Sequence, residues 1–136
     1  MIDYELKGNT AIVTGGSDGL GRATAKKLAQ EGANVIIYAR REKHLMDAAK
    51  SISEETSGSV IGIQADVTSK DDCSRLINET IHHFGSIDIL VNNAGSSLSK
   101  GIEDLDDEQW YSDIELKVMA AVRMSRGVIP YMKTQG

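Results

Sequence analysis

The chain carries one cysteine, Cys73, one proline, Pro130, and few aromatics, 4% of its residues. A lone cysteine excludes an internal disulfide and fits a reducing compartment. Positive charge is also short: 15 Lys and Arg stand against 20 Asp and Glu. The net charge of −5 argues against a nucleic-acid footprint. No apolar run approaches the roughly 18 residues that a membrane span requires. The opening Met1-Ile2-Asp3-Tyr4-Glu5 lacks the charged-then-apolar order of a signal peptide. The expected location is therefore the cytoplasm. There is no low-complexity tract, linker or sequence repeat. What remains is 136 residues, 40% apolar and 26% charged, the size and make-up of one globular domain spanning 1–136.

The organising stretch is Thr14-Gly15-Gly16-Ser17-Asp18-Gly19-Leu20-Gly21. It follows the apolar run Thr10–Val13, where strand one reads as about Thr10–Thr14, and opens a helical pattern near Gly19. Glycine suits a chain that must turn sharply off a strand and let a ligand approach its backbone. The first amides of the following helix are unpaired, and the helix dipole favours negative charge beside them. Strand, glycine turn and helix N-terminus in that order make a phosphate site.

Strands and helices alternate through the rest of the chain. The first helix runs to about Glu31, with Leu20, Ala25, Leu28 and Ala29 near one face, and Gly32 ends it. Val35–Tyr38 reads as a strand covered on both faces. Leu45, Ala48, Ala49 and Ile52 follow at helical spacing. Val60–Ile63 is the third strand. Ser69, with Asp72 three residues on, starts a helix that places Cys73, Leu76, Ile77, Thr80, Ile81 and Phe84 on one face and stops at Gly85. Ile87–Val91 is the fourth strand. Asp106 with Gln109 caps a long last helix whose apolar stripe is Trp110, Ile114, Ala121, Met124 and Val128, with Pro130 near its end. Such alternation implies right-handed crossovers and a parallel sheet. The expected fold is α/β, a Rossmann-type doubly wound parallel sheet in the order 3-2-1-4, stopping before a fifth strand.

Two further sites lie at strand ends. About twenty residues beyond Gly21, where an acid would accept from the ribose hydroxyls of NAD, the chain has Ala39 followed by Arg40 and Arg41. A missing acid and a guanidinium fork suit the 2′-phosphate of NADP better than NAD. The alternative is a solvated surface pair. Asn92-Asn93-Ala94-Gly95 closes strand four, where side-chain amides can tie adjacent strands and a glycine lets a ribose approach. His44, His82 and His83 make no metal set and read as solvated helix faces; no metal site is expected.

The T-G-x-x-x-G-x-G spacing of Thr14–Gly21, the Asn92–Gly95 string, Asp66, and Trp110 and Pro130 flanking the last helix resemble the short-chain dehydrogenase/reductase family over essentially the whole length. The resemblance implies a nicotinamide dinucleotide cofactor and a small carbonyl or alcohol substrate. It places the pyrophosphate on Gly15, Ser17, Asp18, Gly19, Leu20 and Gly21, the adenine on Asp66 and Val67, and the nicotinamide ribose beside Asn93, Ala94 and Gly95. A helix-capping or loop aspartate is the alternative for Asp66. Asp18 departs from NADP-preferring relatives that carry a basic residue before the second glycine. The family commonly uses the last helix in a dimer interface, so a homo-oligomer is the expectation.

Two departures concern catalysis. The family's Asn in the last helix corresponds to Lys117, which falls on the apolar stripe and needs a buried polar partner or a wet cleft. The family's reaction also needs a Ser and a Tyr followed four residues on by a Lys. Tyr4, Tyr38, Tyr111 and Tyr131 are followed at that distance by Gly8, Glu42, Glu115 and Gln135. No catalytic residue is therefore assigned. The expectation is the cofactor-binding half of an NADP(H)-dependent oxidoreductase, inactive by itself. A non-catalytic nucleotide-binding or scaffold module is the alternative.

Overall fold

The structure is a computed structural model and describes residues 2–95 and 100–136. It contains β1 (Thr10–Thr14), α1 (Gly19–Gln30), β2 (Asn34–Ala39), α2 (Glu42–Glu55), β3 (Val60–Gln64), α3 (Lys70–Phe84) and β4 (Ile89–Val91). A short 3-10 turn at Ile102–Asp104 follows, then α4 (Asp107–Ile114), a π-helical turn at Glu115–Met119 and α5 (Ala120–Gln135). The four strands form one parallel sheet in the order β3-β2-β1-β4. Strand order reverses beside β1, the position where ligands bind in doubly wound sheets.

Strand periodicity sorts the core. Successive side chains of a strand point to opposite faces. Ile12, Ile36, Tyr38 and Ile63 therefore pack on one side with Leu76 of α3 and Met124 and Val128 of α5. Val13, Val35 and Ile37 pack on the other with Ala25 and Ala29 of α1 and Leu45, Ala48 and Ile52 of α2. Each large aliphatic chain fully buried this way contributes about 1.5–3 kcal/mol. The sheet is thus covered on both faces, and the middles of its central strands, Ala11–Val13 and Val35–Ile37, are apolar.

Three details differ from the sequence reading. Leu20 is 82% exposed; the buried face of α1 is Gly21, Ala25 and Ala29. Those residues are spaced by four, whereas Leu20 lies five before Ala25 and so points elsewhere. The stripe of the last helix also shifts. Trp110 and Ile114 are 40% and 45% exposed, while Ala120, Met124 and Val128 are buried. The cause is the π turn, whose wider winding rotates the phase between α4 and α5. Finally, α5 continues past Pro130 to Gln135. Proline forfeits a backbone donor there, but Gln135 anchors the last turn to the start of β4. Its Oε1 accepts from the Ile87 amide at 3.1 Å, and its Nε2 donates to the Ile87 carbonyl at 3.0 Å and to Asp88 at 2.9 Å. Strand four proper is shorter than the run Ile87–Val91, although the Asp88 amide still donates to the Thr10 carbonyl at 2.8 Å.

The helix starts match their sequence signals. Ser69 accepts from the Asp72 amide at 3.2 Å. Asp106 and Gln109 form a reciprocal capping box, with bonds of 2.8 and 3.0 Å.

Candidate functional site

The carboxyl ends of β1 and β4 are joined by polar contacts around a tightly folded glycine loop. Thr14, only 2% exposed, ends β1. Its hydroxyl oxygen accepts from the amides of Asn93 at 2.9 Å and Ala94 at 3.0 Å, and donates to the Val91 carbonyl at 3.3 Å. The Asn93 side chain donates to the Gly15 carbonyl at 3.1 Å. Asn92 instead donates to Ser125 Oγ of α5 at 3.3 Å.

The loop has room for backbone alone on its inner side. A Cβ on Gly16 would sit 2.7 Å from Ile37, and one on Gly21 would sit 2.3 Å from the Asn93 amide nitrogen. Gly15 and Gly19 hold φ of +67° and +53°, the left-handed region that side chains rarely adopt. Around Gly19 the space is open: among the described residues, no atom beyond its chain neighbours and its own helix lies within 4 Å of a built Cβ. An anionic group thus has free access to the first turn of α1, whose amides and dipole favour it. Ser17 is buried in the loop, while Asp18 and Leu20 are exposed at its rim.

The two arginines diverge. The Arg41 guanidinium turns to the loop and pairs with Asp18 Oδ2 at 3.3 Å, and His44 Nε2 of α2 meets Asp18 Oδ1 at 2.7 Å. The close approach of His44, with the charges of Arg41 and Arg22 beside it, holds the Asp18 carboxyl below its usual range. Arg40 faces a separate open cleft of about 430 Å³ lined by Gln64, Ala65, Asp66, Asp72 and Arg75. His44 is therefore part of the rim, not a solvated face. Its signal was positional, since the start of α2 follows directly on the strand end that meets the loop.

Asp66 lies in that cleft. Burial pushes its carboxyl up, but the Thr68 hydroxyl and amide donate to Oδ1 at 2.7 and 2.9 Å. With Arg40 facing it, the net shift is downward. Oδ2 makes no hydrogen bond among the described residues. Asp66 thus builds the local turn through Oδ1 and leaves Oδ2 facing the cleft. Val67 is buried, and its carbonyl accepts from the Cys73 thiol at 3.4 Å.

Below Asn92 and Ala94, a pocket of about 20 Å³ opens against the π turn, between Thr14, Val67 and Lys117. Lys117 leaves the buried stripe: its side chain is 43% exposed and its ammonium pairs with Asp113 at 2.9 Å. The Glu115 carboxylate pairs with Arg123, which also donates to the Thr68 carbonyl at 3.3 Å. Gly15, Gly21, Asn93 and Ala94 thus converge on one edge of the sheet, Arg41 and Asp18 on its rim, and Arg40, Asp66 and Val67 beyond it. Gly95 is exposed at the end of the β4 loop.

A parallel sheet in this order, with a glycine loop locked to the end of β4, defines a dinucleotide-binding fold of the dehydrogenase kind. A family model described as short chain dehydrogenase matches residues 9–136, and the chain belongs to the short-chain dehydrogenase/reductase family, a family of oxidoreductases that bind a nicotinamide dinucleotide. An uncharacterized oxidoreductase of Staphylococcus epidermidis is 38% identical over 131 residues, covering 96% of this chain and 55% of its own. The 11-beta-hydroxysteroid dehydrogenase A of Sesamum indicum is 32% identical over 134 residues, 98% of this chain and 38% of that one. Among solved structures, L-sorbose reductase from Gluconobacter frateurii, complexed with NADPH and L-sorbose, matches with a TM-score of 0.95 and 38% identity, covering 99% of this chain and 51% of that one. The chain spans about half the length of the Staphylococcus and Gluconobacter relatives and 38% of the Sesamum one. Among the described residues, no helix is long and apolar enough to cross a membrane.

Proposed function

We propose that this chain is the nucleotide-binding half of an NADP(H)-dependent oxidoreductase that moves hydride between the nicotinamide and a small carbonyl or alcohol substrate. The observation that carries this reading is the loop from Gly15 to Gly21, closed against Asn93 and Ile37 on one side and open around Gly19 on the other. That shape leaves a cradle for a pyrophosphate beside Gly19 and no room for a side chain at Gly16 or Gly21. In this reading Gly15, Ser17, Asp18, Gly19, Leu20 and Gly21 surround the pyrophosphate. Asp66 Oδ2 and the Val67 amide take the adenine edge, and Asn93, Ala94 and Gly95 border the nicotinamide ribose. The bound cofactor would supply the hydride chemistry, while the protein supplies position and charge.

The NADP preference rests on Arg40 and Arg41 and on the absence of an acid at Ala39. Asp18 is the opposing feature, because its carboxylate pairs with Arg41. That pair is largely exposed, and exposed pairs are weak enough to exchange. Titration of the chain with NADPH and with NADH tests the preference. The expected result is tighter NADPH binding, weakened about tenfold or more by combined Arg40→Ala and Arg41→Ala, while NADH changes little. Equal or tighter NADH binding by the wild type would refute it.

The same proposal includes self-association through α4, the π turn and α5, where Trp110, Ile114, Val118 and Val122 are 39–51% exposed. Sedimentation of the chain over a concentration series reads this directly, and a strictly monomeric protein would refute it. A cytoplasmic location belongs to the same reading.

A further inference from the structure

A cluster of charged and polar side chains gathers at the rim of the glycine loop. Asp18 caps α1 in sequence, yet its side chain makes no capping hydrogen bond to the helix. It reaches instead across to the end of β2 and the first turn of α2, where it meets Arg41 and His44 at once. Oδ2 pairs with Arg41 at 3.3 Å and Oδ1 with His44 Nε2 at 2.7 Å. Arg22 adds a third positive charge nearby, its guanidinium held by Ser51 at 3.2 Å. His44 is positioned by its neighbour Leu45, which is fully buried against the sheet.

We propose that Asp18 is a resident counter-ion for the ribose 2′-phosphate subsite, and that His44 is the second cation of that subsite beside Arg41. This rests on the nucleotide reading above. A dianionic phosphate at this place competes with the Asp18 carboxylate for the same two donors. As it enters, Arg41 and His44 transfer from carboxylate to phosphate, and Asp18 turns to solvent. A ribose carrying a 2′-hydroxyl makes the opposite demand, donating to the carboxylate and leaving the ion pairs in place. Asp18 thereby lowers the discrimination that Arg41 and His44 would give without it. All three side chains are substantially exposed, with Asp18 at 60%, Arg41 at 77% and His44 at 40%. Solvent screening keeps each pair weak, so exchange is easy and selectivity is tuned, not blocked. The low position of the Asp18 carboxyl agrees with this arrangement, since it keeps the competing charge present throughout the neutral range.

The test uses two ligands that differ only in the 2′-phosphate: adenosine 2′,5′-bisphosphate and adenosine 5′-monophosphate. Each is titrated calorimetrically into the wild-type chain, Asp18→Asn and His44→Gln at one fixed pH. Unchanged circular-dichroism melting curves establish that the variants are folded. The wild type is expected to prefer the bisphosphate. Asp18→Asn should raise the ratio of the two affinities about threefold or more, and His44→Gln should lower it about twofold or more. If the wild type prefers the bisphosphate but either variant leaves the ratio unchanged, this inference is overturned and the NADP reading stands. If the wild type shows no preference, the NADP reading itself falls.

Discussion

The side-chain amide of Asn93 donates to the carbonyl of Gly15 at 3.1 Å, and so bolts the glycine loop to the neighbouring strand's end. The bond explains why position 21 must be glycine. Gly21 has ordinary helical backbone, so conformation does not demand it; the contact does. A built Cβ there would lie 2.3 Å from the Asn93 nitrogen and 2.5 Å from the Gly15 oxygen. Gly21→Ala is expected to cost about 1–3 kcal/mol of stability despite alanine's better helix propensity, because the crowding term wins. Denaturant unfolding measures the loss, and NADPH titration should show binding reduced with it. Gly19→Ala is the matched control, strained by its φ of +53° but free of any clash.

Thr14 is the second fastener, and its role is separable from its size. Its buried hydroxyl serves the amides of Asn93 and Ala94 together. Thr14→Val keeps the volume and leaves both amides without that acceptor, at an expected cost of about 1–3 kcal/mol. Thr14→Ser keeps the acceptor and loses one methyl, about 0.8 kcal/mol. Chemical denaturation of both variants should therefore rank valine as the more harmful change. The reverse ranking would show that packing, not the hydroxyl, holds the end of β1.

Most of the sheet was legible in the chain because its central strands are buried on both faces and read as uninterrupted apolar runs. Thr10–Thr14 has the same bounds in the sequence reading and in the structure. What was hidden depends on contacts between distant segments. The phase of the last helix shifted because the π turn at Glu115–Met119 has no signature in helical spacing, so Ala121 was read as core where Ala120 is. The pairing of His44 with Asp18 spans 26 positions and becomes visible only when α2 is docked beside the loop. Lys117 looked like a buried charge for the same reason of phase. Its partner Asp113, four residues earlier, was in the sequence throughout.

Asp66 gives a pH-dependent test. Its folded carboxyl titrates below its ordinary value of 3.8, because the hydrogen bonds from Thr68 outweigh burial. A depressed carboxyl contributes stability that is present above the unfolded value and lost as pH falls through the folded one. Asp66→Asn retains an oxygen for the turn to Thr68 but not the charge. Wild type is expected to be the more stable at pH 7, with the gap closing as pH drops below about 4. Paired thermal melts across that range check the sign; a gap that widens toward acid contradicts the assignment.

Tyr38 carries the opposite case, a buried group stabilised in its neutral form. It is 1% exposed, and its hydroxyl makes no hydrogen bond among the described residues. Burial, with the Cys73 thiol and the Asp66 carboxylate nearby, pushes its ionisation well above the ordinary value of 10.0. The unfolded chain releases this proton above about pH 10 while the folded chain keeps it, so wild-type stability falls as pH rises through that value. Tyr38→Phe removes both an unpaired buried hydroxyl and its titration. The variant is expected to match or exceed wild type by up to about 1 kcal/mol at neutral pH. Its advantage should grow above pH 10. Denaturant curves at pH 7 and in the alkaline range measure both, and a clear loss of stability at pH 7 would show that the hydroxyl is satisfied in the folded protein after all.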